Sequence, residues 1–414
     1  MNERIELELT AMAHGGPALG HHRGQVIFVP YGAPGDTVRA EIELSKKNWA
    51  RARLVEVLTP SPDRVTPPCP HFGPTACGGC QWQYLTYAAQ LRHKTDIVRD
   101  QIARLGGLTD PPVRDIQPVG EAWSYRNSVQ LHAGNETLGF IAADDDTRVE
   151  PIEACLLMHP LLAQLYDELD LEMEGLLRLT LRAAVRSGQR MVVFETEDDE
   201  PFEMEVDVPV SCVLLRSDGL PITLVGRDYL TEEVAGRRYK ITAGSFFQVN
   251  TPGADAVVAA VSELLQPQPH HHLLDLYAGV GLFSVALADR VARVTAVEAA
   301  PSSVLDARAN LETVGADNAR VIEADVLTAL EDLEGVPDIV VADPPRAGCG
   351  AAVIGRLVEL GIKRLVIVAC DPAALARDAR TLSDVGYSLV EVRPLDLFPQ
   401  TYHIECVALF ERSW

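Results

Sequence analysis

The sequence predicts an α/β protein, with an open parallel sheet in the C-terminal part and β-rich units before it. Apolar strands alternate with helical segments after residue 240, and a glycine turn follows the first of these strands. Short alternating runs separated by glycine occupy the first 60 residues. Strands that alternate with helices form parallel sheets, whereas short strands with frequent turns form barrels or sandwiches. We therefore expect two or three domains in the 414 residues.

The glycine turn lies in Leu273–Ser284, which combines an apolar strand, the turn and the start of a helix. A strand buried on both faces is apolar along its length, and glycine lets the backbone turn sharply beside a ligand. The next strand ends on Glu298, about 20 residues beyond the turn, where such folds place the acid that binds a ribose. This order favours a nucleotide-cofactor site over a plain βαβ unit without ligand.

Composition limits the possible functions of the chain. No apolar run reaches the roughly 18 residues of a membrane-spanning helix, and the acidic N-terminus lacks a signal-peptide pattern. We therefore expect a cytoplasmic protein without membrane contact. A formal net charge of -23 argues against a protein that coats nucleic acid indiscriminately, so any RNA contact must use local basic patches.

Residues 1–60 are predicted to form a small β-barrel, with strands in Gly24–Pro30 and Asp36–Ile42. Basic residues surround a tryptophan between positions 39 and 53, and basic side chains around an aromatic ring suit single-stranded RNA. A solvated barrel face is an equally good interpretation of this pattern. The candidate RNA contacts are Lys46, Lys47, Trp49, Arg51 and Arg53. Proline pairs after residue 59 indicate a domain boundary.

Three closely spaced cysteines follow this boundary, at Cys69, Cys77 and Cys80. Eight cysteines in a chain expected in the cytosol indicate metal binding or catalysis before disulfides. Thiols separated by glycine and proline can converge on an iron–sulfur cluster, and a zinc ion is the alternative that spacing leaves open. A fourth ligand is required, and Cys155 is the nearest candidate. His71 is expected to be an exposed loop residue rather than a ligand.

Residues 61–240 are predicted to form a central β-rich domain around this metal centre. The alternating segments Arg190–Glu195 and Val206–Val210 predict an antiparallel sheet, with an acidic solvated edge between them. Two further motifs, Ser124–Asn127 and Gly244–Asn250, have no assigned role from their pattern alone.

Residues 241–414 carry three polar motifs at strand ends, where open parallel sheets bind ligands. Asp343 opens an Asp-Pro-Pro-Arg turn after one apolar strand, Cys370 follows the next, and Glu405 opens the last strand. A strand-end cysteine alone is usually inert. Together with a strand-end carboxylate and the glycine turn of a cofactor site, however, such a cysteine is typical of an active site.

These motifs resemble the class I, S-adenosylmethionine-dependent RNA 5-methyluridine methyltransferases that hold a [4Fe–4S] cluster. The resemblance covers nearly the whole chain. Five motifs carry it in family order: Phe-Phe-Gln-Val-Asn, Asp-Leu-Tyr-Ala-Gly-Val-Gly, Asp-Pro-Pro-Arg, Cys-Asp-Pro and His-Ile-Glu. It implies an OB-like TRAM barrel, a central iron–sulfur domain and a C-terminal Rossmann-like methyltransferase domain.

The resemblance also implies roles for individual residues. Cys370 is expected to be the nucleophile and Glu405 the base. The expected cofactor contacts are Gln248, Tyr277, Gly279, Glu298 and Asp343, the cluster ligands are Cys69, Cys77, Cys80 and Cys155, and Arg126 is expected to contact RNA.

The chain departs from the family pattern twice. The first two cysteines are spaced C-x7-C where the family often has C-x5-C, and Ala369-Cys370-Asp371-Pro372 stands where it often has Ser-Cys-Asn-Pro. The second departure puts an acid beside the nucleophile, where it is expected to disfavour the thiolate.

The implied reaction is methylation at C5 of one uridine in structured RNA by a monomeric enzyme. Ribosomal RNA is favoured, and transfer RNA is the alternative that the sequence leaves open. Uracil C5 is too poor a nucleophile to take a methyl group unaided, so a thiolate adds first to C6. A carboxylate then removes the C5 proton so that the thiol is eliminated. One alternative is a methyltransferase for another pyrimidine position or for DNA. Another is a cluster-bearing RNA-binding or RNA-folding protein whose cofactor site is residual.

Overall fold

The computed structural model describes residues 3–134, 137–171 and 173–412. Its strands are β1 (Arg4–Met12), β2 (Ala18–His22), β3 (Gln25–Val29), β4 (Thr37–Ser45), β5 (Trp49–Thr59), β6 (Gln117–Pro118), β7 (Ser128–Gly134), β8 (Thr137–Ile141), β9 (Val149–Pro151), β10 (Leu176–Ala184), β11 (Gln189–Thr196), β12 (Ser211–Leu215), β13 (Pro221–Val225), β14 (Tyr229–Val234), β15 (Arg237–Thr242), β16 (His272–Leu276), β17 (Arg293–Glu298), β18 (Ala319–Glu323), β19 (Ile339–Ala342), β20 (Arg364–Ala369), β21 (Tyr387–Asp396) and β22 (Glu405–Arg412). Its helices are α1 (Tyr87–Arg104), α2 (Pro160–Asp167), α3 (Thr251–Leu265), α4 (Leu282–Leu287), α5 (Pro301–Thr313), α6 (Val326–Glu331), α7 (Gly350–Glu359) and α8 (Pro372–Asp384). Within these ranges no helix has the length and apolar character needed to cross a membrane.

The N-terminal barrel is confirmed as a closed barrel of five strands in the order β1-β2-β3-β5-β4. Alternate side chains of β1, such as Ile5, Leu7 and Leu9, are buried, because successive residues of a strand point to opposite faces. The carboxylate of Asp36 accepts hydrogen bonds from the backbone N–H of Ser61 and from Arg64 at 2.8 Å each, which ties the barrel to the segment that follows it.

The central sheet has seven strands in the order β13-β12-β11-β10-β7-β8-β9, and α2 packs against β10 and β11. The prediction of a strand in Val206–Val210 is wrong, since this segment has no regular structure. Pro209 lacks the N–H that a central strand needs, and the preceding acidic residues favour solvent. The sheet is also mixed rather than antiparallel, because β11 and β12 pair in parallel across this connection.

The C-terminal sheet has eight strands in the order β18-β17-β16-β19-β20-β22-β21-β6, a Rossmann-like arrangement. Strands β16, β17, β19 and β20 are parallel and largely apolar, and successive residues such as Leu273 and Leu274 join cores on opposite faces of the sheet. Parallel sheets are buried on both faces in this way because helices cover them.

The direction of the last strand determines which residues meet at the edge of this sheet. Strand β22 runs antiparallel to β20, and Cys406 pairs with Ala369. The first residue of β22, Glu405, therefore lies at the same edge as Cys370, which follows the last residue of β20. Because the final strand is antiparallel, its first residue lies beside the carboxyl ends of the parallel strands.

A buried ion pair joins α1 to the end of β21. Lys94 donates to the Asp396 carboxylate at 2.6 Å and to the Phe398 carbonyl at 3.0 Å, and both charged side chains are fully buried. Beside it, the amide of Gln90 donates to the side chain of Gln400 at 2.9 Å. These contacts fix the loop between β21 and β22 to the N-terminal half of the chain.

We predict that Lys94→Met lowers the free energy of unfolding by about 3–5 kcal/mol, because it leaves the Asp396 carboxylate buried without a cation. The double variant Lys94→Met/Asp396→Leu is expected to recover most of this loss. Urea unfolding followed by circular dichroism measures both. Arg104→Met on the same helix is the control, since the exposed pair of Arg104 with Asp100 contributes about 0–1 kcal/mol. Equal losses in the single and double variants would contradict the prediction.

Candidate active site

A cavity of about 690 Å³ opens at the carboxyl edge of the C-terminal sheet. Its walls contain every residue predicted as catalytic or cofactor-binding: Gln248, Tyr277, Gly279, Glu298, Asp343, Cys370 and Glu405. The structure therefore brings these residues together, while their individual roles stay predictions.

The glycine turn forms one wall of this cavity. Tyr277 and Gly279 both have positive φ, at 60° and 55°, so the chain reverses sharply where β16 ends. The Glu298 carboxylate accepts the backbone N–H of Gly279 at 2.9 Å and those of Ala299 and Ala300 at 2.8 and 2.7 Å. Glu298 thus holds the turn against the end of β17 and also faces the cavity.

Asp275, which the sequence analysis left without a role, lies buried at the end of β16. Its carboxylate accepts the N–H and the hydroxyl of Ser284, at 2.9 and 2.6 Å, and so joins the strand to α4. Burial raises the pKa of Asp275 to about 7. Burial, with a further contribution from Asp275, also raises the pKa of Asp343 to about 7. The sequence feature that could have identified Asp275 is its position at the start of the Asp-Leu-Tyr motif.

Cys370 is the half-buried thiol of the C-terminal domain, whereas Cys349 and Cys406 are buried. Burial, together with the nearby carboxylates of Glu405 and Asp343, raises the pKa of Cys370 to about 11, and Arg346 opposes this shift. Of these three thiols, Cys370 is the one that faces the large cavity. A group bound there can therefore reach it.

The Glu405 carboxyl group is buried, with 4% of its surface exposed. Burial first, and the proximity of Asp343 second, raise its pKa well above the usual value. A carboxyl group in such surroundings takes up a proton readily, which is what a general base in an enclosed site requires.

Three further residues of the cavity wall had no role from sequence. His403 lies 3.1 Å from Arg346 between Nδ1 and Nη2, and burial, reinforced by Arg346, lowers the pKa of His403 to about 4. The imidazole is therefore neutral at physiological pH. Phe246 is 70% exposed at the cavity, in contrast to the buried Phe247 beside it. Phe246, Arg346 and His403 all belong to the family motifs named above. Position in a motif alone does not show which side chain faces the cavity.

The two motifs without an assigned role contact each other beside the cavity. Asn127 donates to the Gln248 carbonyl at 3.1 Å and to the Thr251 hydroxyl at 3.0 Å, which places Gln248 at the start of α3. Arg126 lies in the walls of both this cavity and a second, smaller one.

The second cavity, of about 210 Å³, is lined by the four predicted ligands Cys69, Cys77, Cys80 and Cys155. Burial raises the pKa of Cys77 to about 11 and that of Cys80 to about 12. The Gly79 N–H points to the Cys77 sulfur at 3.4 Å. Across the described ranges, no group of three or more His, Cys, Asp or Glu side chains is arranged to hold a metal ion. The four thiols share one cavity, and their role as ligands stays a prediction.

The predicted RNA-binding stretch of the barrel is only partly available for RNA. Arg51 lies 3.5 Å from Glu43, and Arg53 lies 3.4 Å from Glu41 on the neighbouring strand. Trp49 is 39% exposed and packs edge-on against Phe28. Lys46 and Lys47 have no acidic partner among the residues that the structure describes. The sequence could not reveal these pairs, because they form between β4 and β5.

The parallel sheet, the glycine turn with its acid, and the thiol and carboxylate at one edge fit a transferase that uses a nucleoside-containing cofactor. The tRNA (Uracil-5-)-methyltransferase family matches residues 204–413, and the TRAM domain family matches residues 2–55. An RNA methyltransferase of Streptomyces avermitilis, described as uncharacterized, is 37% identical over 99% of both chains. A similarly described protein of Thermosynechococcus vestitus is 33% identical over 99% of this chain and 98% of its own.

A solved structure extends the likeness to the whole fold. The crystal structure of Pyrococcus abyssi tRNA (uracil-54, C5)-methyltransferase in complex with S-adenosyl-L-homocysteine has a TM-score of 0.75 and 26% identity, and covers 98% of this chain and 100% of its own. The chain belongs to the tRNA (Uracil-5-)-methyltransferase family. It is an S-adenosylmethionine-dependent RNA uracil-5-methyltransferase with an N-terminal TRAM domain. This assignment supports neither of the two alternative functions considered above.

Proposed function

We propose that the protein methylates C5 of one specific uridine in a structured RNA, with Cys370 as nucleophile and Glu405 as base. The observation that carries this proposal is the cavity at the sheet edge, in which the half-buried thiol and the buried carboxyl group both face the space beside the glycine turn. Cys349 and Cys406 are buried and do not line this cavity, so they are poorer candidates.

The residues of the cavity fit S-adenosylmethionine. Glu298 at the end of β17 suits a ribose, and the acid Asp343 suits a group with a positive charge. Gln248 and the backbone of the glycine turn supply further polar contacts in the cavity wall. When bound, S-adenosylmethionine supplies a methyl group made electrophilic by its sulfonium.

Cys370 acts first in the proposed sequence. Its thiolate adds to C6 of uracil, and the electron pair of the C5–C6 double bond moves onto C5 and the O4 carbonyl as an enolate. C5 can then accept the methyl group. Glu405 takes the remaining proton from C5, the double bond forms again, and the C6–S bond breaks to release the Cys370 thiolate.

Uridine must leave its stack in folded RNA to reach both side chains. The exposed ring of Phe246 at the cavity is suited to stack on a base that has been turned out. Arg126 carries a positive charge into the same wall, where it can contact the RNA backbone. Both residues are proposed to position the substrate.

The TRAM barrel and the cysteine cavity together favour RNA over DNA as the substrate, and ribosomal RNA is proposed as the target. The Pyrococcus abyssi protein is a transfer-RNA enzyme by its title. Transfer of labelled methyl groups to ribosomal and transfer RNA from a strain that lacks this protein distinguishes the two. Label in transfer RNA alone would overturn the ribosomal assignment.

The four cysteines are proposed to hold a [4Fe–4S] cluster with a structural role. Their thiols surround one cavity, and backbone N–H groups point to the sulfur of Cys77 from Gly79 and of Cys155 from Leu157 and Met158. Such hydrogen bonds stabilise thiolate ligands. A cluster occupies more space than a zinc ion, whose four ligands must lie about 2.3 Å from one centre.

We predict that Cys370→Ala binds S-adenosylmethionine and RNA but transfers no methyl group, because no adduct can form. Glu405→Gln is expected to complete addition and methyl transfer, then to stall with methylated RNA attached to Cys370. A denaturing gel detects this complex as a shifted band that carries labelled methyl. The double variant is the control and is expected to show no such band. Free turnover by Glu405→Gln, or a complex that persists without Cys370, would show that the assignment is wrong.

Anaerobically purified protein is predicted to contain about four irons, with acid-labile sulfide, per chain. Cys77→Ser is expected to lose the iron and to lower solubility and RNA binding together. Cys212→Ser, which removes a buried thiol outside the cavity, is the matched control and is expected to keep the iron. Zinc without sulfide in the purified protein would contradict the cluster proposal.

We further predict that Lys46→Ala/Lys47→Ala weakens RNA binding and leaves S-adenosylmethionine binding unchanged. The slope of log K against log salt concentration is expected to fall by about 0.7 for each phosphate of single-stranded RNA that a lysine no longer neutralises. Lys363→Ala removes an exposed charge just before β20, at the opposite edge of the sheet, and is the control. An unchanged slope in the double variant would contradict this prediction and would indicate that this face of the barrel is only a solvated surface.

A further inference from the structure

Arg346 determines which nitrogen of the His403 imidazole carries a proton. Nη2 of Arg346 lies 3.1 Å from Nδ1 of His403. A guanidinium group has donors and no acceptor, so Nδ1 must accept this hydrogen bond through its lone pair. The ring is therefore neutral and its proton lies on Nε2. Burial, reinforced by Arg346, acts in the same direction, because it lowers the pKa of His403 to about 4.

Aromatic neighbours hold the ring of His403 in place. Tyr402 packs against it with a centroid distance of 4.5 Å, and Phe398 packs edge-on at 5.9 Å. Tyr402 is held in turn by the barrel. Gly16 has a φ of 100°, and a Cβ at this position would lie 2.7 Å from Cδ1 of Tyr402, so only glycine fits here. The imidazole is thus fixed in its orientation by contacts on several sides.

The Nε2–H group of His403 is left for a molecule that binds in the cavity. Among the residues that the structure describes, Arg346 is the one whose side chain is hydrogen-bonded to the imidazole, and it occupies Nδ1. His403 lines the large cavity together with Cys370 and Glu405. A fixed, neutral N–H donor in an enclosed site suits a carbonyl oxygen on which negative charge develops during a reaction.

Uracil has such an oxygen beside the reacting carbon. C4, which bears O4, is bonded to C5, whereas C2, which bears O2, lies opposite C5 in the ring. Negative charge develops on O4 twice, when the Cys370 thiolate adds to C6 and when Glu405 takes the C5 proton. His403 is two residues before Glu405 in the chain. A base whose C5 faces Glu405 therefore presents O4, rather than O2, to the side of the cavity that carries His403.

We propose that His403 donates a hydrogen bond from Nε2 to O4 of the target uracil, and so selects uracil and stabilises the enolate. This inference rests on the proposed function and adds a catalytic residue to it. The proton stays on Nε2, because the electron pair of the first enolate forms the bond to the methyl group, and that of the second restores the C5–C6 double bond as the Cys370 thiolate leaves.

Two further consequences follow from this hydrogen bond. Arg346 makes Nε2–H a stronger donor, because hydrogen bonds in a chain polarise one another and the guanidinium places a positive charge behind the ring. Cytosine carries an amino group at position 4, which is itself a donor. Two donors that face each other cannot form a hydrogen bond, so His403 discriminates against cytosine.

The test uses the full chain and the RNA fragment that accepts labelled methyl groups in the transfer experiment above. The fragment is synthesised with uridine, 4-thiouridine or 2-thiouridine at the methylated position, because sulfur accepts hydrogen bonds only weakly. His403→Phe keeps an aromatic ring beside Phe398 and Tyr402 but removes the donor. On uridine it is expected to lower kcat about 100- to 1000-fold, as the loss of one oxyanion donor does, and to change KM for RNA less than about threefold.

The sulfur-substituted fragments locate the contact on the base. On 4-thiouridine the unaltered chain lacks most of this hydrogen bond as well, so His403→Phe is expected to differ from it less than about tenfold. On 2-thiouridine, which keeps O4, the full difference of about 100- to 1000-fold is expected. His132→Phe, on β7 and outside the cavity wall, is the matched control and is expected to behave as the unaltered chain on every fragment.

A pair of amide variants separates the donor from a structural role of the ring. The side-chain N–H of His403→Gln can reach the position of Nε2, and is expected to retain at least about a tenth of the kcat on uridine. The shorter amide of His403→Asn reaches only the position of Nδ1, and is expected to lose as much as His403→Phe does. Unchanged affinity for S-adenosylmethionine shows that each variant is folded, and the asparagine variant replaces the phenylalanine variant in the comparison if the latter is not.

Three results would overturn the inference. They are a kcat on uridine within about threefold of the unaltered chain without the donor, an equal loss on uridine and 4-thiouridine, and a loss that disappears on 2-thiouridine. Cys370→Ala on the same fragments separates this failure from that of the proposed function. Turnover without the thiol contradicts the proposed function, whereas an inactive Cys370→Ala beside a fully active His403→Phe contradicts this inference alone.

Discussion

The buried ion pair between Lys94 and Asp396 is the contact on which the arrangement of the active site depends. A lysine and an aspartate without solvent access are stable only when each satisfies the other, so α1 must stay against the end of β21. The loop that follows β21 is held in place by the same contact, because Lys94 also donates to the Phe398 carbonyl. Gln400 in that loop, with a positive φ of 69°, accepts the backbone N–H groups of Gln81 and Trp82.

Three parts of the chain therefore converge on one loop. The cysteine segment reaches it through Gln81, which follows Cys80, and the barrel reaches it through Gly16. The loop in turn leads directly into β22 and Glu405. The cysteine cavity and the active site have Arg126 as a common wall residue, so the two sites are close neighbours rather than properties of separate domains.

Sequence patterns predicted which residues meet at this edge of the sheet, because these residues stand at strand ends. The carboxyl ends of parallel strands must meet at one edge, and this places Glu298, Asp343 and Cys370 together without any knowledge of side-chain packing. Contacts between segments that are remote in the chain could not be predicted in this way. Nothing in the local pattern of Arg346 indicates His403, and nothing in that of Lys94 indicates Asp396. The strand expected in Val206–Val210 is absent because alternation alone does not account for a proline without an N–H.

The close fit of Gly16 on Tyr402 has a consequence for the evolution of the chain. The barrel carbonyls of Gly16 and Gly32 accept hydrogen bonds from Trp82 and Tyr84, which are almost wholly buried. A chain without the barrel would lose both hydrogen bonds and would expose two large aromatic side chains to water. A relative can therefore dispense with its barrel only if the residues at these two positions change as well, so barrel loss and aromatic replacement should occur on the same branches of the family tree.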